Sequence, residues 1–459
     1  MRVAMIGTGY VGLTTGVCLA ELGHDVVCAD IDGNRIAQLR RGILPFAESG
    51  VAEMASRHMT RGRLHFTCDL ANAVAERDIV MIAVGTPKGA EGEADLSFVR
   101  NAARQIAPAI APKTVVTLKS TVVVGTAREV REIIASERGA LDFWVTSNPE
   151  FLREGSAVAD FLRPDRIVIG ADDHDAAQRL IQLYQPLLRE GIPLVETGTT
   201  NAELIKYAAN AFLALKIGFI NDVADLCEQI EGDISAVAQG IGLDRRIGSS
   251  FLAPGPGYGG SCFPKDTEAF AATGRRHKAP QPLVETLIVR NEKRKRGIAE
   301  RVLRELSDIG NPTVGILGVA FKANTDDVRE SAALAIVPIL QQAGVSVRAF
   351  DPWAQTKAAA LLPSVAWHDD PYAALENVDL GLILTEWEAF RSLDLARLAL
   401  SMRNRILFDC RNLLEPQEMP RHGFRYLSLG RGGVPRAIKQ VSAGAARSQG
   451  PHRSLRLPS

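Results

Sequence analysis

Arg2-Val3-Ala4-Met5-Ile6-Gly7-Thr8-Gly9-Tyr10-Val11-Gly12 decides how the first half of this chain is read. Arg2 to Ile6 is a short apolar run of the kind a doubly buried parallel strand shows, and glycines follow in the spacing GxGxxG. Apolar residues at helical spacing then lead to Gly23, and Asp25 to Ala29 reads as a second strand ending at Asp30. Strand, glycine turn, helix and strand make the βαβ unit that binds a dinucleotide. Gly7 permits the tight turn, Gly9 lets the backbone approach a pyrophosphate, and Gly12 allows close helix packing. The helix start at Tyr10 and Val11 offers free N–H groups and a positive dipole end to the phosphates. Asp30, eighteen residues past Gly12, is placed for the adenosine ribose hydroxyls. A carboxylate there repels a 2′-phosphate, so NAD is expected rather than NADP, unless Arg35 offsets the charge.

Composition sets the bounds around this unit. A chain of 459 residues exceeds one core, so two or three domains are expected. Hydrophobic residues make up 46% and charged residues 23%, with zero net charge, a balance that points to neither nucleic acid nor membrane. Cys18, Cys28, Cys68, Cys227, Cys262 and Cys410 are scattered, with no CxxC and no metal-type clustering. They read as free thiols in a reducing compartment, and no metal is expected. Met1 opens directly onto the strand pattern, leaving no room for a signal peptide, and no apolar run is long enough to span a bilayer. The expectation is a cytoplasmic protein.

Further along, residues 79–84 read as a strand ending in Gly85-Thr86-Pro87, and residues 115–118 as one ending in Lys119-Ser120-Thr121. Residues 143–146 lead into Ser147-Asn148-Pro149-Glu150-Phe151-Leu152-Arg153-Glu154-Gly155. Ligands of open parallel sheets collect beyond the carboxyl ends of strands, which makes Thr86, Thr121, Glu150 and Glu154 candidates for contact. Each could instead be a turn or cap residue. Strands at 166–170 and 192–196 close a first domain over 1–197. Thr200-Asn201-Ala202-Glu203 has a capping-box pattern. It opens a long helix with apolar positions at Leu204, Ala208, Phe212, Leu215, Phe219, Val223, Leu226 and Ile230, stopping at Gly232. That helix reads as a spine between domains and as a dimer surface. Lys206 and Asn210, four apart, share one of its faces, although a lysine inside such a pattern usually points to solvent.

Strands at 313–317, 345–350, 380–384 and 406–408 repeat the first rhythm without the full glycine fingerprint, which suits a nucleotide-bearing substrate. Past residue 438 periodicity ends, and no acid follows Glu418. The expected fold is α/β: two Rossmann-like doubly wound domains joined by a long central helix. The expected bounds are 1–197, a central helical domain 198–300, an α/β domain 301–438, and a disordered basic tail 439–459. Within the central domain stands Gly257-Tyr258-Gly259-Gly260-Ser261-Cys262-Phe263-Pro264-Lys265-Asp266. Glycines, then a thiol with charged neighbours, suit an exposed and activated nucleophile. A glycine-rich turn around an ordinary buried cysteine is the alternative.

GTGYVG, KSTVVVGT, SNPEFLREG, ELIKYAANAF, RIGSSFLAPGPGYGGSCFPKD, AFKANTDDVRES and DCRN follow one another along the chain. In this order they resemble the nucleotide-sugar dehydrogenase family, the UDP-glucose/GDP-mannose dehydrogenases, over roughly residues 1–435. The run from Tyr258 to Asp266 resembles the branch that acts on UDP-glucose. The N-acetylmannosamine branch typically carries a histidine where Ser261 stands, and the GDP-mannose branch, with a similar cysteine loop, is the nearest competitor. Cys410 and Arg153 depart from the small residue and the alanine common at those places.

The resemblance implies a four-electron oxidation of the C6 hydroxymethyl group of UDP-glucose to a carboxylate, with two NAD⁺ and one water. An aldehyde cannot lose a second hydride until a nucleophile adds to it. Cys262 would form a thiohemiacetal, then a thioester that water hydrolyses. By the same resemblance Lys206 stabilises the oxyanions and favours the thiolate of Cys262, or alternatively forms an imine. Asp266, helped by Thr121, orients or deprotonates a water. Glu150 is the base for hydrolysis, a job for which an ordinary carboxylate is weak. Asn210, Phe151 and Leu152 would hold the sugar and nucleotide, and Phe251, Tyr258, Gly259, Phe321 and Lys322 the UDP side. Arg411 would come from the second α/β domain and Arg246 from a neighbouring subunit. Thr86, Thr121, Glu154, Lys265 and Arg329 would complete the cofactor side, Glu154 also facing substrate. The implied partner is UDP-glucose, with no nucleic acid or membrane, and a homodimer forms through the central helix. A single-oxidation dehydrogenase of the hydroxyacid type needs no thiol, so Cys262 argues against it. Intact Cys262, Lys206, Asp266 and Glu150 argue against a decayed, non-catalytic binding protein.

Overall fold

In the computed structural model, which describes residues 1–139 and 142–432, the apolar runs pair into two sheets. The first contains β1 (Arg2–Ile6), β2 (Asp25–Ala29), β3 (Leu64–Thr67), β4 (Ile79–Ile82), β5 (Val115–Leu118), β6 (Trp144–Ser147), β7 (Ile167–Gly170) and β8 (Leu194–Thr197). Their order is β3-β2-β1-β4-β5-β6-β7-β8. The first six strands are parallel; β7 meets β6 antiparallel at Ser147 and Gly170 and pairs with β8 in parallel. Val3 to Ile6 of β1 and all of β4 and β5 are buried, as strands covered by helices on both faces must be. Ile6 lies level with Ala29 on one side and Ile82 on the other. That register brings the glycine turn, Asp30 and the end of β4 to one edge.

The second sheet contains β9 (Thr313–Leu317), β10 (Ser346–Phe350), β11 (Ala366–Trp367), β12 (Leu380–Ile383), β13 (Ile406–Asp409) and β14 (Arg425–Ser428). It is parallel throughout, in the order β11-β10-β9-β12-β13-β14. This is the order of the first six strands again, so both α/β units are Rossmann-like. Asp351 ends β10 as Asp30 ends β2. Its carboxylate, however, accepts the N–H groups of Val319, Ala320, Trp353 and Ala354 and the indole N–H of Trp387. With its lone pairs taken by the chain, it is not a ribose acceptor.

Between the sheets runs the 31-residue spine helix Thr199–Gln229. The expected capping box does not form. Gly198 is the N-cap, and Thr199 donates its N–H and hydroxyl to Asp172. Glu203 instead accepts the N–H groups of Gly125 at 2.7 Å and Ala127 at 2.8 Å, capping the helix Thr126–Arg138. The apolar stripe is also not the buried one: Phe212 is 64% exposed, Phe219 58%, Leu226 56% and Ile230 65%. The buried face carries Ala202, Glu203, Lys206, Tyr207, Asn210, Ala211 and Ala214. Its small residues admit the helices Phe263–Arg276 and Pro282–Glu305 to close packing. No helix among the described residues is long and apolar enough to cross a membrane. The basic tail expected over 439–459 lies outside the described residues.

Candidate active site

At the glycine turn a Cβ built on Gly12 would fall 2.1 Å from the Gly7 carbonyl oxygen, so helix and turn are in contact. At Gly9 the same Cβ meets nothing within 4 Å. Gly9 is the N-cap of the helix Tyr10–Glu21 and no side chain caps it. Open space facing free N–H groups is the cradle a pyrophosphate needs, and the residues present fit a dinucleotide. Asp30 accepts the N–H and hydroxyl of Thr8 at 2.8 Å each, and Arg35 Nη1 at 3.2 Å. Burial acts to raise its carboxyl, but bonds from the Thr8 and Asp32 N–H groups, the Thr8 hydroxyl and Arg35 hold it below the ordinary range. The Tyr10 hydroxyl donates to Glu48, which also accepts the N–H groups of Gly155 and Ala157.

A cavity of about 680 Å³ opens where the loop after β6, the spine helix and the cysteine loop converge. Lys206 and Asn210 enter this region one turn apart, and both are buried. Lys206 Nζ donates to Glu150 Oε1 at 3.0 Å, and Asn210 Nδ2 to Asp266 Oδ2 at 2.6 Å. Lys265 Nζ holds the other Asp266 oxygen at 2.6 Å and lies 3.4 Å from Thr86 Oγ1. Burial acts to lower the Lys206 ammonium. Glu150, Cys262 and Asp266 outweigh it and hold the group above the usual lysine value. An ammonium so held is placed to donate hydrogen bonds into the cavity.

Cys262 is the N-cap of the helix Phe263–Arg276, with Ser261 Oγ 3.6 Å from its sulfur. The Lys206 charge favours a thiolate at Cys262, as the resemblance implies, and desolvation acts against it. Burial pushes Cys262 up to about 11, the Lys206 charge pulls against it, and Asp266 and Glu150 push further. Ser261 Oγ donates to Glu154 Oε1 at 3.1 Å, and Thr325 Oγ1 donates to Glu154 Oε2 at 2.9 Å. Lys322 Nζ holds the Glu154 carbonyl at 2.6 Å. Burial, with Asp327 beside it, pushes the Glu154 carboxyl up. Glu154 thus joins all three parts of the chain behind the thiol.

Three family models match in succession: the NAD binding domain of the UDP-glucose/GDP-mannose dehydrogenase family over residues 1–188, its central domain over 200–293, and its UDP binding domain over 315–416. The chain belongs to the UDP-glucose/GDP-mannose dehydrogenase family. It is 50% identical over 435 residues to the UDP-glucose 6-dehydrogenase of Rhizobium meliloti, covering 94% of this chain and 100% of that one. It is 45% identical to a UDP-glucose 6-dehydrogenase of Bacillus subtilis, covering 94% of each. A solved UDP-glucose dehydrogenase from Pyrobaculum islandicum superposes with a TM-score of 0.86 at 39% identity, covering 93% of this chain and 96% of that one.

Of the residues that the family resemblance singled out, Glu150, Phe151, Leu152, Glu154, Lys206, Asn210, Phe251, Gly259, Cys262, Phe321 and Lys322 line the cavity. Others do not. Tyr258 turns its ring against Phe263 and packs with Ala214 and Leu287. Asp266 is wholly buried behind Asn210, and the Thr121 carbonyl accepts the Thr86 hydroxyl. Arg411 donates to the carbonyls of Leu384 and Phe321, and so supports Phe321 from behind. Arg329 pairs with Asp327 at 2.6 Å and lies 3.7 Å from Glu154. Arg246 is 89% exposed and pairs with Asp244. Lys119, Asn148 and Arg166 also line the cavity, and sequence reasoning gave them no role. Arg166 stacks 3.6 Å from the Phe151 ring centroid. For Lys119 and Asn148 the available signal was their position just past a strand end.

Proposed function

We propose that this family member is an NAD-dependent UDP-glucose 6-dehydrogenase that makes UDP-glucuronate through a thioester on Cys262. One observation carries the mechanism: the Cys262 sulfur stands in the wall of a cavity shared with the buried Lys206–Glu150 pair. A single-oxidation dehydrogenase has no use for that thiol. When bound at the glycine turn, NAD⁺ supplies the hydride acceptor for both oxidations.

The protein's own groups do the rest. The C6 hydroxyl gives its proton to water in the cavity and carbon C6 gives up a hydride, which leaves an aldehyde whose oxygen takes a hydrogen bond from Lys206. Cys262 adds through sulfur, and its proton passes to that oxygen to give the thiohemiacetal, so the free enzyme needs no standing thiolate. Carbon C6 then gives up a second hydride as the thiohemiacetal hydroxyl passes its proton to water, which gives the thioester, again with oxygen facing Lys206. Glu150 takes a proton from the attacking water and passes it to sulfur as the carbon–sulfur bond breaks, and the new carboxylic acid gives its proton to solvent, so that carboxylate and thiol are released. Asn210 and Asp266 support this step from behind, with Thr121 on the adjoining loop. Phe151, Leu152, Phe251, Gly259, Phe321 and Lys322 take the nucleotide sugar, and Arg411 acts through Phe321.

The same reading sets the working domains at 1–197, 198–300 and 301–438. It makes the protein a cytoplasmic homodimer in which the exposed spine stripe packs on its copy and Arg246 reaches the neighbouring site. The test is stoichiometry. Purified protein with UDP-glucose and NAD⁺ should form two NADH per sugar and release UDP-glucuronate, and GDP-mannose should be the poorer substrate. One NADH per sugar, with an aldehyde as product, overturns the thioester route.

A further inference from the structure

Lys119 follows β5 and is 4% exposed, yet among the described residues its ammonium bonds only neutral groups. Its Nζ donates to Asn148 Oδ1 at 3.0 Å and to the Tyr184 hydroxyl at 3.4 Å. Tyr184 donates to the same Asn148 oxygen at 2.6 Å. Asn148 is pinned by its own N–H on the Leu118 carbonyl at 2.9 Å and by Nδ2 on the Val168 carbonyl at 2.7 Å. All three side chains line the substrate cavity, and Asn148 begins the turn that delivers Glu150.

Neutral partners do not repay the water an ammonium gives up, so a buried lysine of this kind calls for a charge that it serves. The charged groups facing Lys119 are Glu150, on the loop after β6, and Lys206, on the spine helix. Cys262 and Asp266 in turn face Lys206. Lys206 cannot hold Glu150 and a substrate oxyanion with equal strength at once. While it turns to the substrate, Glu150 needs another cation nearby.

We infer, resting on the function proposed above, that Lys119 is a positioning residue for thioester hydrolysis. With Asn148 and Tyr184 it holds the turn that carries Glu150, and it places a second ammonium in the field of that carboxylate. Burial lowers the Lys119 ammonium to about 8, Glu150 acting to raise it and Lys206 to lower it.

The test follows decay of the Cys262 adduct after rapid mixing with UDP-glucose and NAD⁺, by quenched intact-protein mass spectrometry, between about pH 5 and about pH 9. Lys119→Gln retains a donor for Asn148 and removes the charge, whereas Lys119→Met removes both. In each, the acid limb of the decay, where the hydrolytic base takes up its proton, should move up by about 0.5 to 1 pH unit. The NADH burst should stay within about threefold, and the Met variant should also decay about tenfold more slowly. Tyr184→Phe keeps the ammonium, so decay should slow a few-fold with the limb in place. An unmoved limb in whichever Lys119 variant folds overturns the inference and leaves Lys119 a packing residue. A wild-type protein that forms no adduct, or one NADH per sugar, overturns the functional reading instead, before any variant is compared.

Discussion

At Cys262, desolvation and charge compete. An ammonium beside a thiol ordinarily makes a standing thiolate. In this site the loss of water and two nearby carboxylates push the thiol up to about 11 despite Lys206. Iodoacetamide labelling of Cys262 in the ligand-free protein should therefore be slow at neutral pH. It should climb about tenfold per pH unit through the mildly alkaline range. Exposed Cys68, read in the same digest, reports the reagent's reach. Fast labelling at neutral pH with a plateau below about pH 8 would show a preformed thiolate, with the Lys206 charge outweighing burial. Lys206 has a structural share in the same balance. Lys206→Met leaves Glu150 buried without its partner, an expected loss of about 3–5 kcal/mol measured in denaturant.

Among the elements, the spine helix shows how a local motif yields to its neighbours. Glu203 sits where a capping-box acid belongs, but its carboxylate reaches across to the start of Thr126–Arg138 and fills two orphan N–H groups there. Burial raises Glu203 to about 7, while the N–H groups of Ala127 and Gly125 act to lower it. A carboxyl raised in the folded state contributes most below its unfolded value of about 4.3, and that contribution is lost as pH rises through about 7. Glu203→Gln cannot ionise. Across that window the difference in unfolding free energy between wild type and variant should therefore move in the variant's favour, by on the order of 3–4 kcal/mol, with the Tm difference following it. A constant difference would mean that Glu203 ionises in the native protein as readily as in the unfolded chain.

For the whole molecule, the exposed stripe of Phe212, Phe219, Leu226 and Ile230 is the main unexplained apolar surface on the spine. Beside it Arg290, Arg294 and Arg301 pair with Asp222, Asp225 and Glu228, a polar rim along an apolar strip. Single exposed apolar residues are ordinary, but Phe212, Phe219 and Leu226 spaced by seven, with Ile230 one turn further and charge along the rim, suit a second copy. Sedimentation of the wild-type protein at micromolar concentration should give the mass of two chains. Phe219→Asp with Leu226→Asp should give one. If Arg246 serves the neighbouring site, Arg246→Ala should raise KM for UDP-glucose about tenfold and leave KM for NAD⁺ alone. A monomeric wild type removes both expectations.

Strand, glycine turn and helix were legible from residues 2–30 because their signals are local: periodicity, glycine spacing and an acid at a set distance. Candidate residues at strand ends, Glu150 and Glu154 among them, were legible for the same reason, since parallel sheets present those ends to ligands. The face of the spine helix was not. Its apolar stripe has the period of a core, but burial is decided by what packs against a helix. Small residues and the Lys206–Asn210 pair face the sheet and the cysteine loop. Neither the basicity of Cys262 nor the service of Lys119 and Glu203 could be read along the chain. Each depends on groups brought together from distant segments and on the water those contacts exclude.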